Sequence, residues 1–196
     1  MSESTSTRDR VIAAAANLFA TRGFAATSIA DVAEASGLLK GNLAYYFKTK
    51  QSLLDAVLDA RATALWTELV APAQPDEDAR TAIGRLLDHV RASADDLAKY
   101  GCPVGGLATE LGKTDQALHT NAAALLLNLE AYLCDAFAKV VARNRAERLA
   151  EQLLVRLQGA AVIAQARRDP TVVHRQVDEA IAWLETVLDT SDARRA

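Results

Sequence analysis

The sequence has few of the residues that mark secreted, membrane or disulfide-rich proteins. Its 196 residues include two cysteines, Cys102 and Cys134, which are too few for a disulfide framework. No apolar run approaches the ~18–20 residues of a membrane span, because Asn128 and Glu130 interrupt the leucine-rich stretch around them. No early apolar stretch resembles a signal peptide, and residues 1–7 are polar and rich in serine and threonine. We therefore expect a cytoplasmic protein without membrane contact, whose first seven residues form a disordered arm.

The sequence also lacks the motifs of catalysis and metal binding. His89, His119 and His174 lie on three separate predicted helices, and none is paired with a second metal ligand at helical spacing. The sequence has no glycine-rich phosphate loop, nucleophile elbow or paired-carboxylate motif. We therefore expect no enzymatic activity, no metal and no cofactor.

Helical periodicity runs through almost the entire chain. Apolar residues recur every three or four positions, no segment alternates like a β-strand, and only four prolines and nine glycines interrupt the pattern. Alanine dominates the apolar half of the sequence, which favours helices packed closely through small side chains. The predicted fold class is therefore all-α, with about nine helices arranged as a small N-terminal three-helix head and a helical body.

Residues 27–50 carry the most informative pattern in the chain. Two short helical segments flank a tight turn in which Gly37 is expected to adopt a positive φ angle. The second segment, from about Leu39 to Tyr46, is rich in hydrogen-bonding and aromatic residues and leads into lysines. This arrangement is typical of a helix-turn-helix whose second helix enters the DNA major groove.

The charge distribution favours DNA contact at one end of the chain only. Residues 1–50 contain six Lys/Arg and four Asp/Glu, a net charge of +2, whereas the whole chain has −3, so the remainder carries −5. Lys40, Lys48 and Lys50 can neutralise phosphates, and this term dominates affinity and its salt dependence. Gly41 would let the backbone approach a phosphate closely. The alternative is a helical hairpin whose tyrosines only bridge core and solvent.

Four short motifs in this region share the pattern of a known family. They are a Gly-aromatic end to the first helix, a Thr-Ser pair, an Ala-x-x-Ser-Gly helix end and a recognition helix leading into Tyr-x-Phe-x-x-Lys, found here at Gly23-Phe24, Thr27-Ser28, 33–37 and 40–50. In these motifs the chain resembles the TetR family of transcriptional regulators over roughly residues 8–65. The resemblance implies a homodimer, a near-palindromic double-stranded DNA operator and repression relieved by a small-molecule effector.

The resemblance and the chemistry of the side chains together define the DNA-contact candidates. They are Ser28, Lys40, Gly41, Asn42, Tyr45, Tyr46, Lys48 and Lys50. Two positions depart from the family pattern: Ala44 stands where a tyrosine is frequent, and Leu39 stands where Ser or Thr often caps the recognition helix. Because of these departures, relatives do not predict the operator sequence.

A break after the fourth predicted helix indicates two domains. Pro72 and Pro75, followed by the acidic residues 76–78, interrupt the helical pattern. We predict a helix-turn-helix DNA-binding domain at 8–55 and an effector-binding and dimerisation domain at 76–190. The fourth helix would continue to about residue 70 and link them.

By the same resemblance, the last two helices would pair with their copies in a second subunit. The candidate dimer residues are small or apolar and comprise Leu153, Leu157, Ala160, Ala164, Ile181, Trp183, Leu184 and Leu188. For each of them the alternative is a place in the core of its own protomer. A dimer also suits DNA binding, because two recognition helices must reach major grooves about 34–36 Å apart.

The middle helices carry little charge on their apolar faces, which favours a small apolar or electrophilic effector. The candidate pocket residues are Leu86, Val90, Cys102, Leu107, Leu111, Leu126, Leu129, Tyr132 and Phe137. Most of them could equally be ordinary core residues.

Cys102 supports a sharper hypothesis. Pro103 suits the first position of a helix, so Cys102 would be its N-cap, where partial positive charge stabilises a thiolate. Residues 101–111 also resemble a motif in a subgroup of TetR-like repressors, some of which sense electrophiles or oxidants at this cysteine. The alternative is a small cysteine in a tight interhelical corner. Cys134, in the middle of a helix, looks structural.

Three other functions stay open at this point. One is a redox- or electrophile-sensing repressor acting through Cys102, and another is an activator or global regulator without a ligand. The third is a helical interaction module that has lost DNA binding, which only Leu39 and Ala44 favour.

Overall fold

The computed structural model describes residues 6–70 and 76–192, and within these ranges it contains ten helices and no β-strand. This confirms the all-α prediction. The helices are α1 (Thr7–Arg22), α2 (Ile29–Ala35), α3 (Lys40–Tyr46), α4 (Lys50–Leu69), α5 (Ala79–Ala92), α6 (Ala94–Tyr100), α7 (Pro103–Leu111), α8 (Gln116–Ala138), α9 (Arg143–Arg167) and α10 (Thr171–Asp192). None of the helices in the described ranges is both long and apolar enough to cross a bilayer.

Local capping explains where the helices depart from the predicted ones. Ser6 and Thr7, placed in the disordered arm, instead begin α1, since the Ser6 hydroxyl accepts the Asp9 N–H at 3.1 Å. The remainder of the predicted arm, and Pro72 and Pro75, lie outside the described residues. Apolar periodicity predicts one fifth helix that includes residues 83–97, but the structure divides it into α5 and α6 at Ser93, which ends one helix and begins the next.

Apolar periodicity predicts one long helix from about residue 115 to residue 143, but α8 ends at Ala138. Its last turn tightens, with the Val140 N–H bonded to the Phe137 carbonyl at 3.0 Å, and Ala142 adopts an extended conformation before α9. A four-residue connection therefore separates two helices that the periodicity had predicted to be almost continuous.

Contacts between Cα atoms divide the chain into two compact units. Of the described residues, the first unit contains 6–65 and 103–125, and the second contains 66–70, 76–102 and 126–192. The first unit thus includes α7 and the beginning of α8, whereas the predicted domain limits place both in the domain at 76–190. The assignment of functional domains to 8–55 and 76–190 stays a prediction.

The core of the first unit holds the helix-turn-helix from behind. The apolar spacing of the recognition helix predicts Leu43 and Phe47 as its core anchors, and the two side chains are 0% and 5% exposed. They are buried together with apolar residues of α1, α2 and α4, namely Val11, Ala15, Phe19, Val32, Leu53, Leu54 and Val57. Helix α7 packs against α1 in the same unit.

In the second unit, α10 packs against α5, α6 and α9. A half-buried Arg85 holds two segments together, because its guanidinium donates to the Leu69 carbonyl at 2.7 Å and to the Glu77 carboxylate. This hydrogen bonding lowers the pKa of Glu77 and raises that of Arg85. The bond to the Leu69 carbonyl attaches the end of α4 to α5, and the ion pair attaches Glu77, just before α5, to the same helix.

Candidate nucleic-acid interface

The turn between α2 and α3 has the geometry that the sequence predicts. Gly37 has a φ of 71°, the left-handed conformation that favours glycine. Its N–H bonds to the Glu34 carbonyl at 3.0 Å, and the Leu38 N–H bonds to the Ala33 carbonyl at 2.9 Å. These bonds use carbonyls at the end of α2 and fix the direction in which α3 leaves the turn.

Ser28 begins α2 with a reciprocal capping box. Its hydroxyl accepts the Asp31 N–H at 3.1 Å, while Asp31 Oδ2 accepts both the N–H and the hydroxyl of Ser28 at 2.7 Å. The bond from the Ser28 hydroxyl is the main reason why the pKa of Asp31 is lowered. Ser28 is exposed, as a DNA contact should be, but its hydroxyl would have to release Asp31 before it could donate to a phosphate.

Helix α3 separates a buried side from an exposed side. Lys40, Gly41 and Asn42 are exposed at its start. Tyr45 and Tyr46 are 80% and 38% exposed, with ring centroids 5.3 Å apart at an interplanar angle of 89°. Predicted contact residues are therefore displayed together on one short helix, where hydroxyl, amide and ammonium donors can reach phosphates and base edges.

Gly41 has no structural reason to be a glycine in the protein alone. A Cβ atom added there would meet nothing within 4 Å. Gly41 is also not one of the glycines that adopt a positive φ angle. A position that is open in the free protein, on the exposed side of a recognition helix, is suited to close backbone approach to DNA.

Leu39 is the N-cap residue of α3 and makes no side-chain capping hydrogen bond. Its side chain is 76% exposed. The recognition helix therefore begins without the capping oxygen that Ser or Thr would supply, as the sequence suggested.

Lys50 is held against the turn between α1 and α2. Its ammonium lies 4.1 Å from the ring centroid of Phe24 and 3.5 Å from the Ala25 carbonyl oxygen. Burial lowers the pKa of Lys50, and the nearby carboxylates of Glu110 and Asp31 oppose that shift. Lys48 is exposed. Of these two lysines, Lys50 has a defined position in the free protein.

Glu110 is a residue of this region that the sequence did not reveal. It lies on α7, and its carboxylate accepts the Phe24 N–H at 2.9 Å and the Ala25 N–H at 2.6 Å. Gly23 permits this contact, because a Cβ atom there would lie 3.0 Å from Glu110 Oε2 and φ is +88°. Phe24 and Ala25 lie 86 and 85 positions before Glu110 in the sequence, too far for a local motif to link them. Only the placement of α7 against α1 brings them together.

The predicted effector residues are divided between the two units. Leu107 and Leu111 belong to the first unit, and the remaining candidates belong to the second. Leu86, Leu107, Leu111, Leu129 and Phe137 are buried, whereas Val90, Cys102, Leu126 and Tyr132 are half-buried. The Tyr132 hydroxyl donates to the Ala82 carbonyl at 2.9 Å. The effector pocket stays a prediction.

The two cysteines differ in their surroundings. Cys102 is half-buried directly before Pro103, the first residue of α7. Cys134 is buried within α8, and burial raises the pKa of its thiol. In the ranges 6–70 and 76–192, no group of three or more His, Cys, Asp or Glu side chains could hold a metal ion.

The dimer interface stays a prediction, and the structure shows how far each of its predicted residues is exposed in one protomer. Six of its eight residues are at most 7% exposed within a single protomer, namely Leu153, Leu157, Ala160, Ala164, Leu184 and Leu188. They are buried within the protomer and present little surface to a second copy. Trp183 is half-buried, with its ring 5.9 Å from that of Phe137, and Ile181 is 36% exposed.

A different face of α9 is both apolar and exposed. Val155, Val162 and Ile163 are 63%, 63% and 45% exposed, and Gly159 lies between them at helical spacing. A Cβ atom added to Gly159 would meet nothing within 4 Å. Periodicity could not distinguish this face from the buried one, because both are apolar.

Comparison with known proteins agrees with this architecture. Residues 11–57 match the model for bacterial regulatory proteins of the tetR family. Residues 75–179 match the model described as transcriptional regulator LmrA/YxaF-like, C-terminal domain.

Individual relatives that match this chain over most or half of their own length are transcriptional regulators. An HTH-type transcriptional regulator of Mycobacterium tuberculosis is 29% identical, covering 87% of this chain and 91% of its own. An HTH-type transcriptional repressor of the same organism is 44% identical over 100 residues, half of this chain and 49% of its own. The crystal structure of a TetR transcriptional regulator from Chloroflexus aurantiacus is 26% identical, covers 91% of this chain and 94% of its own, and has a TM-score of 0.78.

The two family matches together span both contact units, and the helix-turn-helix geometry lies within the first match. These matches identify a family of transcriptional regulators rather than of enzymes. The chain therefore belongs to the TetR family of DNA-binding transcriptional regulators.

Proposed function

We propose that this protein is a homodimeric repressor that binds a near-palindromic operator and is released by a small apolar or electrophilic effector. The observation that carries the proposal is the exposed side of α3, where Asn42, Tyr45 and Tyr46 follow Lys40 on a helix anchored from behind by Leu43. A recognition helix of this kind reads base edges while lysines neutralise phosphates. Binding to DNA would place the protein in the cytoplasm.

An electrophoretic mobility shift with the DNA upstream of the gene that encodes this chain tests operator binding. We expect a retarded complex at low salt. Unlabelled DNA of the same sequence should displace the labelled DNA from the protein, whereas unrelated DNA should not. A folded dimer that gives no shift would contradict the repressor function and favour a helical interaction module. Transcription from the bound promoter in vitro distinguishes repression, the expected result, from activation.

The exposed apolar face of α9 supports the dimer. Val155, Val162 and Ile163 would meet the same residues of a second copy, and Gly159 would permit close approach of the two helices. Because exposed apolar side chains in a contiguous row are costly in water, this face is the best surface for self-association.

Sedimentation velocity of two matched variants tests this face. Val162→Glu introduces a charge on α9, whereas Leu127→Glu does so at an equally exposed position on α8, since the two side chains are 63% and 62% exposed. We expect Val162→Glu to sediment as a monomer and Leu127→Glu to remain a dimer. A dimeric Val162→Glu protein at micromolar concentration would contradict the assignment of the interface.

Cys102 supports the electrophilic alternative within the same function. It is half-buried at the start of α7, and α7 carries Glu110, which contacts the turn before α2. A covalent adduct on the Cys102 sulfur would therefore form at the beginning of a helix that belongs to the same unit as the helix-turn-helix.

The sensor alternative is tested by treating DNA-bound protein with a thiol-alkylating electrophile such as N-ethylmaleimide. Wild type and Cys134→Ala should release DNA, because the buried Cys134 thiol has a raised pKa and little thiolate. Cys102→Ser should stay bound. Equal release of Cys102→Ser and wild type would exclude a role of Cys102 and leave a non-covalent effector as the proposed ligand.

A further inference from the structure

One carboxylate of helix α7, which packs against α1, binds two consecutive backbone N–H groups of the DNA-binding head. Glu110 Oε2 accepts from Phe24 at 2.9 Å and Glu110 Oε1 accepts from Ala25 at 2.6 Å. Hydrogen bonds to an ionised acceptor are stronger than those between neutral groups. The contact therefore defines where the turn between α1 and α2 lies relative to α7.

The same turn positions Lys50. The Lys50 ammonium lies over the Phe24 ring at 4.1 Å and 3.5 Å from the Ala25 carbonyl oxygen. Thus Glu110 binds the N–H side of the Phe24–Ala25 segment, while Lys50 contacts the ring and carbonyl of the same two residues. A shift of this segment would move Lys50, which is a predicted phosphate contact.

The turn also determines where α2 begins. Three residues after Ala25, Ser28 caps α2 through its bonds with Asp31. Internal bonds hold the turn together without Glu110, since the Thr27 hydroxyl donates to the Gly23 carbonyl at 2.8 Å. The carboxylate is therefore not required to form the turn, and its contribution is to fix the turn to α7.

We infer that Glu110 is a positioning residue for operator binding: its carboxylate holds the Phe24–Ala25 segment, and with it Lys50 and the start of α2, in the arrangement that meets DNA. The inference rests on the operator binding proposed above. It assigns α7 a direct part in the geometry of the head, from a position outside the helix-turn-helix motif.

The variants must separate the effect of the Glu110 charge on DNA binding from the effect of its hydrogen bonds. Glu110→Ala removes both, whereas Glu110→Gln removes the charge but retains a side-chain oxygen that can accept one of the two N–H bonds. Loss of a negative charge near the head raises affinity for any DNA, so operator binding is compared with binding to unrelated DNA at the same salt concentration. Asp59 is an exposed carboxylate on α4 in the same unit, so Asp59→Asn is the matched control for charge.

The experiment measures fluorescence anisotropy of the full-length variants with operator and with unrelated DNA, together with their melting temperatures. We expect Glu110→Ala to lower the ratio of operator to unrelated affinity at least about tenfold, since each charge-assisted bond is worth about that factor or more. Glu110→Gln should recover part of this ratio, and Asp59→Asn should leave it unchanged. If Glu110→Ala does not fold, the ratio for Glu110→Gln, expected between that of wild type and a tenfold loss, decides the question.

An unchanged ratio in Glu110→Ala, or equal losses in Glu110→Ala and Glu110→Gln, would overturn the positioning role. A wild-type protein that does not bind the operator would instead contradict the proposed function, so the two failures are distinguishable.

Discussion

Substitution of Gly41 by alanine should change stability and DNA affinity in opposite directions. Within α3 the added methyl group meets no atom within 4 Å, so the folded protein accommodates it without strain. Alanine loses less backbone entropy than glycine when a helix forms, which stabilises the variant by about 0.5–1 kcal/mol. For a chain of this size, the melting temperature should rise by about 1–4 °C.

Operator affinity should fall, because the exposed side of α3 is where the DNA backbone would approach. A methyl group forced into a well-packed contact costs about 1–3 kcal/mol, which corresponds to about a 5- to 150-fold weaker complex for each half-site. Calorimetry measures the stability, and fluorescence anisotropy with a single half-site and a full operator measures the affinity.

Gly84 provides the matched control for this substitution. It lies in α5, and a Cβ atom added there also meets nothing within 4 Å. Gly84→Ala should therefore gain similar stability while operator affinity stays at the wild-type value. If Gly41→Ala binds the operator as tightly as Gly84→Ala does, the backbone of α3 does not approach DNA at this position, and the argument for a close contact fails.

Three further substitutions test the head. Tyr45→Ala should leave the melting temperature within about 2 °C of wild type, because an 80% exposed ring contributes little to the core, yet it should weaken operator binding; a large loss of stability would mark Tyr45 as a core residue. Leu39→Ser should stabilise the protein by about 1 kcal/mol in denaturant titrations by capping α3, and no gain would show that the cap geometry is unsuitable. Ser28→Ala should raise the pKa of Asp31 towards its ordinary value in NMR titrations, since the Ser28 bond lowers it. The pKa of Asp31 in the folded protein lies below its pKa in the unfolded chain. The stability that the Ser28–Asp31 bond contributes is therefore present above about pH 4 and is lost as the pH falls through the folded-state pKa. An unchanged Asp31 pKa in Ser28→Ala would show that the Ser28 bond does not lower it.

Much of the helix-turn-helix could be predicted because its signals are local. Gly37 adopts the expected positive φ, Ser28 caps α2, and Leu43 and Phe47 are buried where the apolar spacing placed them. Each of these features depends on residues within a few positions of one another, so short-range periodicity and capping chemistry were sufficient.

The residues predicted for the dimer interface show what sequence spacing leaves open. Helix α9 is apolar on two sides, and the sequence could not show that the side with Leu153 and Leu157 is the one buried within the protomer. The structure buries that side and leaves Val155 and Val162 exposed instead. Sequence spacing defines which residues share a helix face but not what lies opposite it.

By itself, the sequence determined the all-helical fold class, the helix-turn-helix and the residues displayed on its second helix, since these follow from patterns that repeat over one or two helical turns. Only the tertiary structure decided which face of α9 remains exposed and that Glu110 reaches the Phe24 and Ala25 N–H groups. Both depend on how distant segments pack, and the free energy of that packing is a sum over many contacts that no local pattern encodes.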